Sequence, residues 1–144
     1  MRNVSELLNR KGHAVYSIQP DATVKGALEE LADKDIGALL VMAKGNLVGI
    51  FSERDYARRV ELEGRRSEDT YIKNVMTESP VCVRPDQSVD ECMALMTKRR
   101  IRHLPVIEDD RVVGVISIGD VVKEVIAEQQ FQIEQLENYI STSR

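Results

Sequence analysis

Two short segments hold the residues best suited to chemistry, Ser52-Glu53-Arg54-Asp55 and Ser117-Ile118-Gly119-Asp120. Each sets a hydroxyl three residues ahead of a carboxylate, directly after an apolar run. A helix that starts at the serine offers unpaired backbone N–H groups and a partial positive charge, which is a seat for a phosphate. The hydroxyl adds one hydrogen bond, and the acid can accept from two neighbouring hydroxyls at once, as a ribose diol presents them. The same spacing also makes a capping box, in which serine holds the helix start and the acid reaches back to it. The two roles are compatible, because a hydroxyl that caps the free protein can turn to a ligand.

Other chemistries find little support. The two histidines, His13 and His103, stand apart from cysteines and carboxylates at metal-ligand spacing, so no metal is expected. Nor do they complete a Ser-His-Asp or Cys-His set, and no enzyme is expected. Cys82 and Cys92 lie in apolar segments and read as reduced packing residues. Met93 and Met96 are at helical spacing and read as core. The run Lys98-Arg99-Arg100-Ile101-Arg102 is basic, but the formal net charge is -4 and only four Tyr and two Phe could stack bases, which argues against nucleic acid. No apolar run approaches the roughly 20 residues of a membrane helix. Met1–Glu6 lacks the apolar core of a signal peptide, so a cytoplasmic location is expected.

The elements that position the two segments come from an internal repeat. Sliding the chain by 65 positions lays residues 15–60 over 80–125 without a gap. Identical pairs are Pro20/Pro85, Asp21/Asp86, Val24/Val89, Ile36/Ile101, Leu39/Leu104, Val41/Val106, Val48/Val113, Gly49/Gly114, Ser52/Ser117, Asp55/Asp120 and Val60/Val125. Each copy opens with an extended segment, Val15–Ile18 or Val81–Val83, closed by Pro-Asp. Thr23 and Ser88 are placed as helix N-caps, and Val24, Ala27, Leu28 and Leu31 (Val89, Cys92, Met93 and Met96 in the second copy) recur at helical spacing. Two apolar strands joined by a polar turn follow, then a second helix near Ser52 or Ser117. The order β-α-β-β-α predicts an α+β fold of two repeats. One copy alone is too small to be stable, so the two are expected to pack as a pseudo-two-fold pair.

Gly49-Ile50-Phe51-Ser52-Glu53-Arg54-Asp55 and Gly114-Val115-Ile116-Ser117-Ile118-Gly119-Asp120 resemble the Gly-hydrophobic-x-Ser/Thr-x-x-Asp signature of cystathionine-β-synthase (CBS) domains. So do Ile101-Arg102-His103-Leu104-Pro105-Val106, its counterpart Ile36-Gly37-Ala38-Leu39-Leu40-Val41, and Met76-Thr77. The resemblance covers about residues 11–128. It divides the chain into a first CBS domain at 11–60, a connector at 61–75, a second CBS domain at 76–128 and a helical extension at 129–144. It implies a pair of domains, often dimeric, whose clefts bind an adenine nucleotide such as AMP, ATP or NAD. The resemblance also groups the site residues crosswise. One cleft would take Ile50, Ser52, Arg54 and Asp55 with Met76, Val81, Ile101, Arg102 and His103. The other would take Val115, Ser117 and Asp120 with Lys11, Tyr16, Ile36, Gly37 and Ala38.

On that grouping the first cleft collects Arg54, Arg102 and His103 and should hold a polyphosphate, while the second offers Lys11 at most. A dinucleotide could span both, one nucleoside to each Asp. The expected function is a nucleotide-sensing regulatory module acting on a separate protein, for which the resemblance makes a redox enzyme one candidate. An interaction or scaffold protein with empty clefts is the alternative. In the tail, Ile126, Ile133, Leu136 and Ile140 lie partly on one helical face, which fits pairing with the same helix of a second subunit and hence a homodimer.

Overall fold

A computed structural model of the chain describes residues 2–142. The chain divides into two compact units, one of Ala14–Val81 and one that joins Met1–His13 to Cys82–Arg144. The elements are α1 (Val4–Lys11), β1 (Ser17–Ile18), α2 (Val24–Lys34), β2 (Ala38–Ala43), β3 (Asn46–Ser52) and α3 (Glu53–Asp55). A π-helical stretch Tyr56–Glu61 continues α3. There follow a 3-10 turn Ile72–Asn74, β4 (Thr77–Glu78), α4 (Val89–Arg99), β5 (His103–Glu108), β6 (Arg111–Ser117) and α5 (Ile118–Thr142). This is the α+β pair of repeats that the sequence predicts, followed by an extended terminal helix.

The duplication holds in geometry as well as in sequence. Thr23 caps α2 by accepting from the Gly26 N–H, and Ser88 caps α4 by accepting from the Glu91 N–H. Both helices end on a left-handed residue, Asp35 at φ 54° and Arg100 at φ 55°. The hairpins β2–β3 and β5–β6 slip register at matching places, between Val41 and Met42 and between Val106 and Ile107. Each turns through two residues of positive φ, Lys44-Gly45 in one and Asp109-Asp110 in the other. A two-residue hairpin turn requires that conformation, and Asp tolerates it where Gly is absent.

In the unit of 14–81 the sheet runs β1-β2-β3-β4. Its core is Val24, Ala27, Leu31, Leu39, Val41, Phe51, Val60, Ile72, Val75 and Met76. Residues 61–75, read from sequence as a connector, thus supply Ile72 and Val75 to that core; the charged run that marks them ends before Thr70. In the other unit α1 plays a matching part, burying Val4, Leu7 and Leu8.

The two covering segments are held alike. Val24 N–H donates to Thr70 O and Ile72 N–H to Ala22 O, while Val89 N–H donates to Arg2 O and Val4 N–H to Gln87 O. The segment ahead of the second copy therefore covers the first, and the segment ahead of the first covers the second. Gly49 and Gly114 let both covers in. A Cβ on Gly49 would lie 2.6 Å from Met76 Sδ, and one on Gly114 would lie 2.7 Å from Leu8 Cδ2.

Candidate functional site

Each Ser-x-x-Asp segment begins where a hairpin ends. Ser52 is extended (φ -117°, ψ 167°) and caps α3 with a complete capping box. Asp55 Oδ2 accepts from the Ser52 N–H at 2.9 Å and from its hydroxyl at 3.1 Å, and the Asp55 N–H donates to Ser52 Oγ at 3.2 Å. Asp55 Oδ1 accepts from the Thr77 hydroxyl at 3.0 Å and lies 3.9 Å from Arg59 Nε. Arg59 Nη1 also donates to Met76 O at 2.7 Å and to Val75 O at 3.3 Å. Asp55 is buried, and its partners are spread over both oxygens.

Ser117 and Asp120 repeat the reciprocal bonds. Asp120 Oδ2 accepts from the Ser117 N–H at 2.8 Å, and the Asp120 N–H donates to Ser117 Oγ at 3.2 Å. The third partner differs. Lys11 Nζ, from the last turn of α1, donates to Asp120 Oδ2 and to Val115 O, each at 2.5 Å. The Asp120 side chain is 20% exposed, against 10% for Asp55. Burial pushes the Asp120 carboxyl up, but the Lys11 hydrogen bond, the Ser117 backbone bond and the Lys11 charge outweigh it, so its pKa falls below the ordinary value.

The strand-pairing neighbours of each motif come from its own hairpin. Ala38 pairs with Ser52 across the hairpin, and Gly37 O accepts from the Glu53 N–H at 3.1 Å. His103 pairs with Ser117, and Arg102 O accepts from the Ile118 N–H at 2.9 Å. These contacts lie within one copy, whereas the crosswise grouping of Arg102 and His103 with Ser52 and Asp55, and of Gly37 and Ala38 with Ser117 and Asp120, is a proposal about clefts shared by the two copies. The physical reason for the contacts within a copy is the hairpin itself. A tight two-strand turn brings the residues ahead of its first strand beside those that leave its second.

The other candidates fall as follows. Ile50 pairs with Leu40 and Thr77, and Met76 packs beneath Gly49; both are buried. Arg54 is exposed in the first turn of α3, and Val81 is half-buried. Ile36 packs against the first unit's core. Tyr16 O accepts from the Leu40 N–H, and the Tyr16 ring, partly exposed, carries Lys34 Nζ 5.5 Å from its centroid. In the other unit Val115 gives its carbonyl to Lys11, and Ile101 is half-buried just ahead of β5. His103 is held below its usual pKa by burial first, then by the charges of Lys11 and Arg102, with Asp120 opposing. Lys11, Arg102 and His103 thus gather around the second motif.

Thr77 and Arg59 are partners of Asp55 that the sequence reading leaves without a role. Arg59 follows Asp55 by four residues, a spacing that places it one helical turn on. Thr77 comes from β4, a strand of two residues that no periodicity reveals. Among the described residues no group of three His, Cys, Asp or Glu could hold a metal ion, and no helix is long and apolar enough to cross a membrane.

The duplicated hairpin-and-helix unit with its paired Ser-x-x-Asp starts defines a class as well as a geometry. The CBS domain family model matches residues 4–62 and 72–127, and the chain belongs to that family. Among curated proteins it is 37% identical to the mitochondrial CBS domain-containing protein CBSX3 of Arabidopsis thaliana, over 95% of this chain and 71% of that one. Among solved structures it resembles the CBS domain protein NE2398, with a TM-score of 0.84 and 45% identity over 87% of this chain and 98% of the other. The CBS-domain protein ATU1752 of Agrobacterium tumefaciens gives a TM-score of 0.81 and 39% identity over 85% and 98% of the two chains. The CBS domain pair of protein MJ0100, solved with 5′-methylthioadenosine and S-adenosyl-L-methionine, shares the fold at a TM-score of 0.77 and 24% identity, over 89% of this chain and 98% of that one.

Proposed function

We propose that this CBS pair is a non-catalytic regulatory module that binds an adenine nucleotide (AMP, ATP or NAD(H)) and signals its level to a separate partner protein in the cytoplasm. The observation that carries the reading is the state of Asp120. Its carboxylate is half-buried at the start of a 25-residue helix, ionised, and held by a lysine on an exposed helix end. A ribose diol can take the place of the ammonium on that carboxylate, freeing Lys11 for a phosphate. Arg102 borders the same helix start and favours negative charge there, and the neutral His103 ring can donate a hydrogen bond to a phosphate oxygen. The adenosine ligands of the MJ0100 pair support the class of ligand.

Calorimetric titration of dialysed protein with AMP, ADP, ATP, NAD and S-adenosylmethionine tests this. We expect at least one to bind, and Asp120→Asn to weaken it at least tenfold. Ligand at 100 times Kd should also stabilise the fold by about 2.7 kcal/mol, seen as a raised Tm. Silence from all five ligands would leave an unliganded scaffold as the better account.

A further inference from the structure

The last part of α5 is exposed. Every side chain described from Gln129 to Ser141 is exposed, including Phe131, Ile133, Leu136, Tyr139 and Ile140. Nearer the body of the unit, Val122 and Ile126 are 45% and 49% exposed on the same helix, whereas Val121 is fully buried. The apolar positions on this face follow one rule. From Val122 the steps to Ile126, Gln129, Ile133, Leu136 and Ile140 alternate between four residues and three. That is a period of 3.5, the repeat of a coiled-coil seam, which keeps one stripe facing a partner helix as the two supercoil. In heptad terms Ile126, Ile133 and Ile140 occupy the a positions, and Val122, Gln129 and Leu136 occupy d.

We propose that α5 pairs with α5 of a second copy of this chain, in parallel and in register, as a two-stranded coiled coil along residues 122–140. Three observations fix the occupant and its direction. Isoleucine at every a position, with Leu136 and no isoleucine at d, fits two strands rather than three or four. Gln129 is the one polar residue in the seam. In a parallel pair it faces Gln129 of the other copy, and the two amides can bond each other; in an antiparallel pair centred on the seam it would be buried against Ile133. The g positions, Val125, Gln132 and Tyr139, are uncharged, so no like charges oppose the parallel alignment. A stripe of this kind, roughly 27 Å long at 1.5 Å per residue, is more apolar surface than a monomer ordinarily leaves in water. The seam leaves Phe131 outside, on the opposite face. This proposal does not depend on the nucleotide reading.

Sedimentation velocity of the full chain from about 1 to about 100 µM brackets the affinity expected of so short a coil. A dimer should form in that range, and Ile133→Glu with Leu136→Glu should weaken it at least tenfold while far-UV circular dichroism and Tm stay those of a folded body. Register is read by oxidising Leu136→Cys. The two introduced thiols should give a covalent dimer on a non-reducing gel, with the wild-type chain and its Cys82 and Cys92 as the blank. A wild-type chain that stays monomeric, or a Glu double variant that dimerises as well as wild type, would overturn the proposal. So would efficient bridging between Ile126→Cys and Leu136→Cys in mixed chains, with none between two Leu136→Cys chains, since that pattern requires antiparallel helices.

Discussion

Asp55 and Asp120 stand at equivalent points of a duplicated unit and carry the same reciprocal bonds to a serine, yet they have different third partners. For Asp55 these are Thr77 and Arg59, which belong to the same unit and tie the carboxylate to the backbone of Val75 and Met76. For Asp120 the partner is one lysine, 33% exposed and also bonded to a strand carbonyl. The covers over the two hairpins explain the difference. The first is covered by Met76-Thr77, whose short strand β4 delivers a hydroxyl to Asp55. The second is covered by a helix, which delivers a long cation from its last turn. The same motif is thereby built into the fold in one copy and left exchangeable in the other.

Substitution at the two acids should separate them most sharply. Asp55→Ala removes a buried acid and leaves the partly buried Ser52 N–H and Thr77 hydroxyl without their acceptor, and should cost about 3 kcal/mol in urea unfolding. Asp120→Ala removes a capping acid that water can partly replace, and should cost about 1 kcal/mol while abolishing the nucleotide response. Equal losses of stability would break the comparison. The two glycines sharpen it at a smaller scale. Gly49→Ala meets Met76 Sδ and, at 2.9 Å, the backbone oxygen of Thr77, whereas Gly114→Ala meets only the Leu8 side chain. The first should cost about 2 kcal/mol and the second about 1, because a leucine can shift where a backbone cannot.

Lys11→Met should lower stability by only about 0.5 kcal/mol, since the ion pair is partly solvated. It should also return the Asp120 carboxyl toward its ordinary pKa, readable by carboxyl NMR titration. The smallest effect is in pH. The folded pKa of Asp120 lies below its usual 3.8, so its contribution to stability is complete above that value and lost as pH falls through the folded pKa. His103 is depressed below 6.5, so the unfolded chain takes up its proton first, and acidification from about pH 7.5 toward 5.5 should lower Tm slightly. That slope should vanish in His103→Gln.

Much of this was legible in the sequence, because a duplication states each element twice. The caps Thr23 and Ser88, both hairpins and both helix starts lie where the repeat predicts them. What escaped it was non-local. The α1 helix has its own signals, with Asn3 accepting from the Glu6 N–H and Val4, Leu7 and Leu8 on one face, but it lies outside the region that repeats in register. The two-residue β4 and the core residues Ile72 and Val75 follow a charged run that masks them. The crosswise grouping of the candidate residues came from the resemblance alone, whereas the register within each hairpin, which sets Ala38 beside Ser52 and His103 beside Ser117, is predictable from the repeat.

A crystal structure of the full chain grown with AMP tests the central claim most directly. The account expects the ribose hydroxyls on Asp120 and Lys11 Nζ swung away from that carboxylate toward the phosphate, with Asp55 still bonded to Ser52 and Thr77. A nucleotide whose ribose sits on Asp55, with the Lys11–Asp120 pair intact, would contradict it.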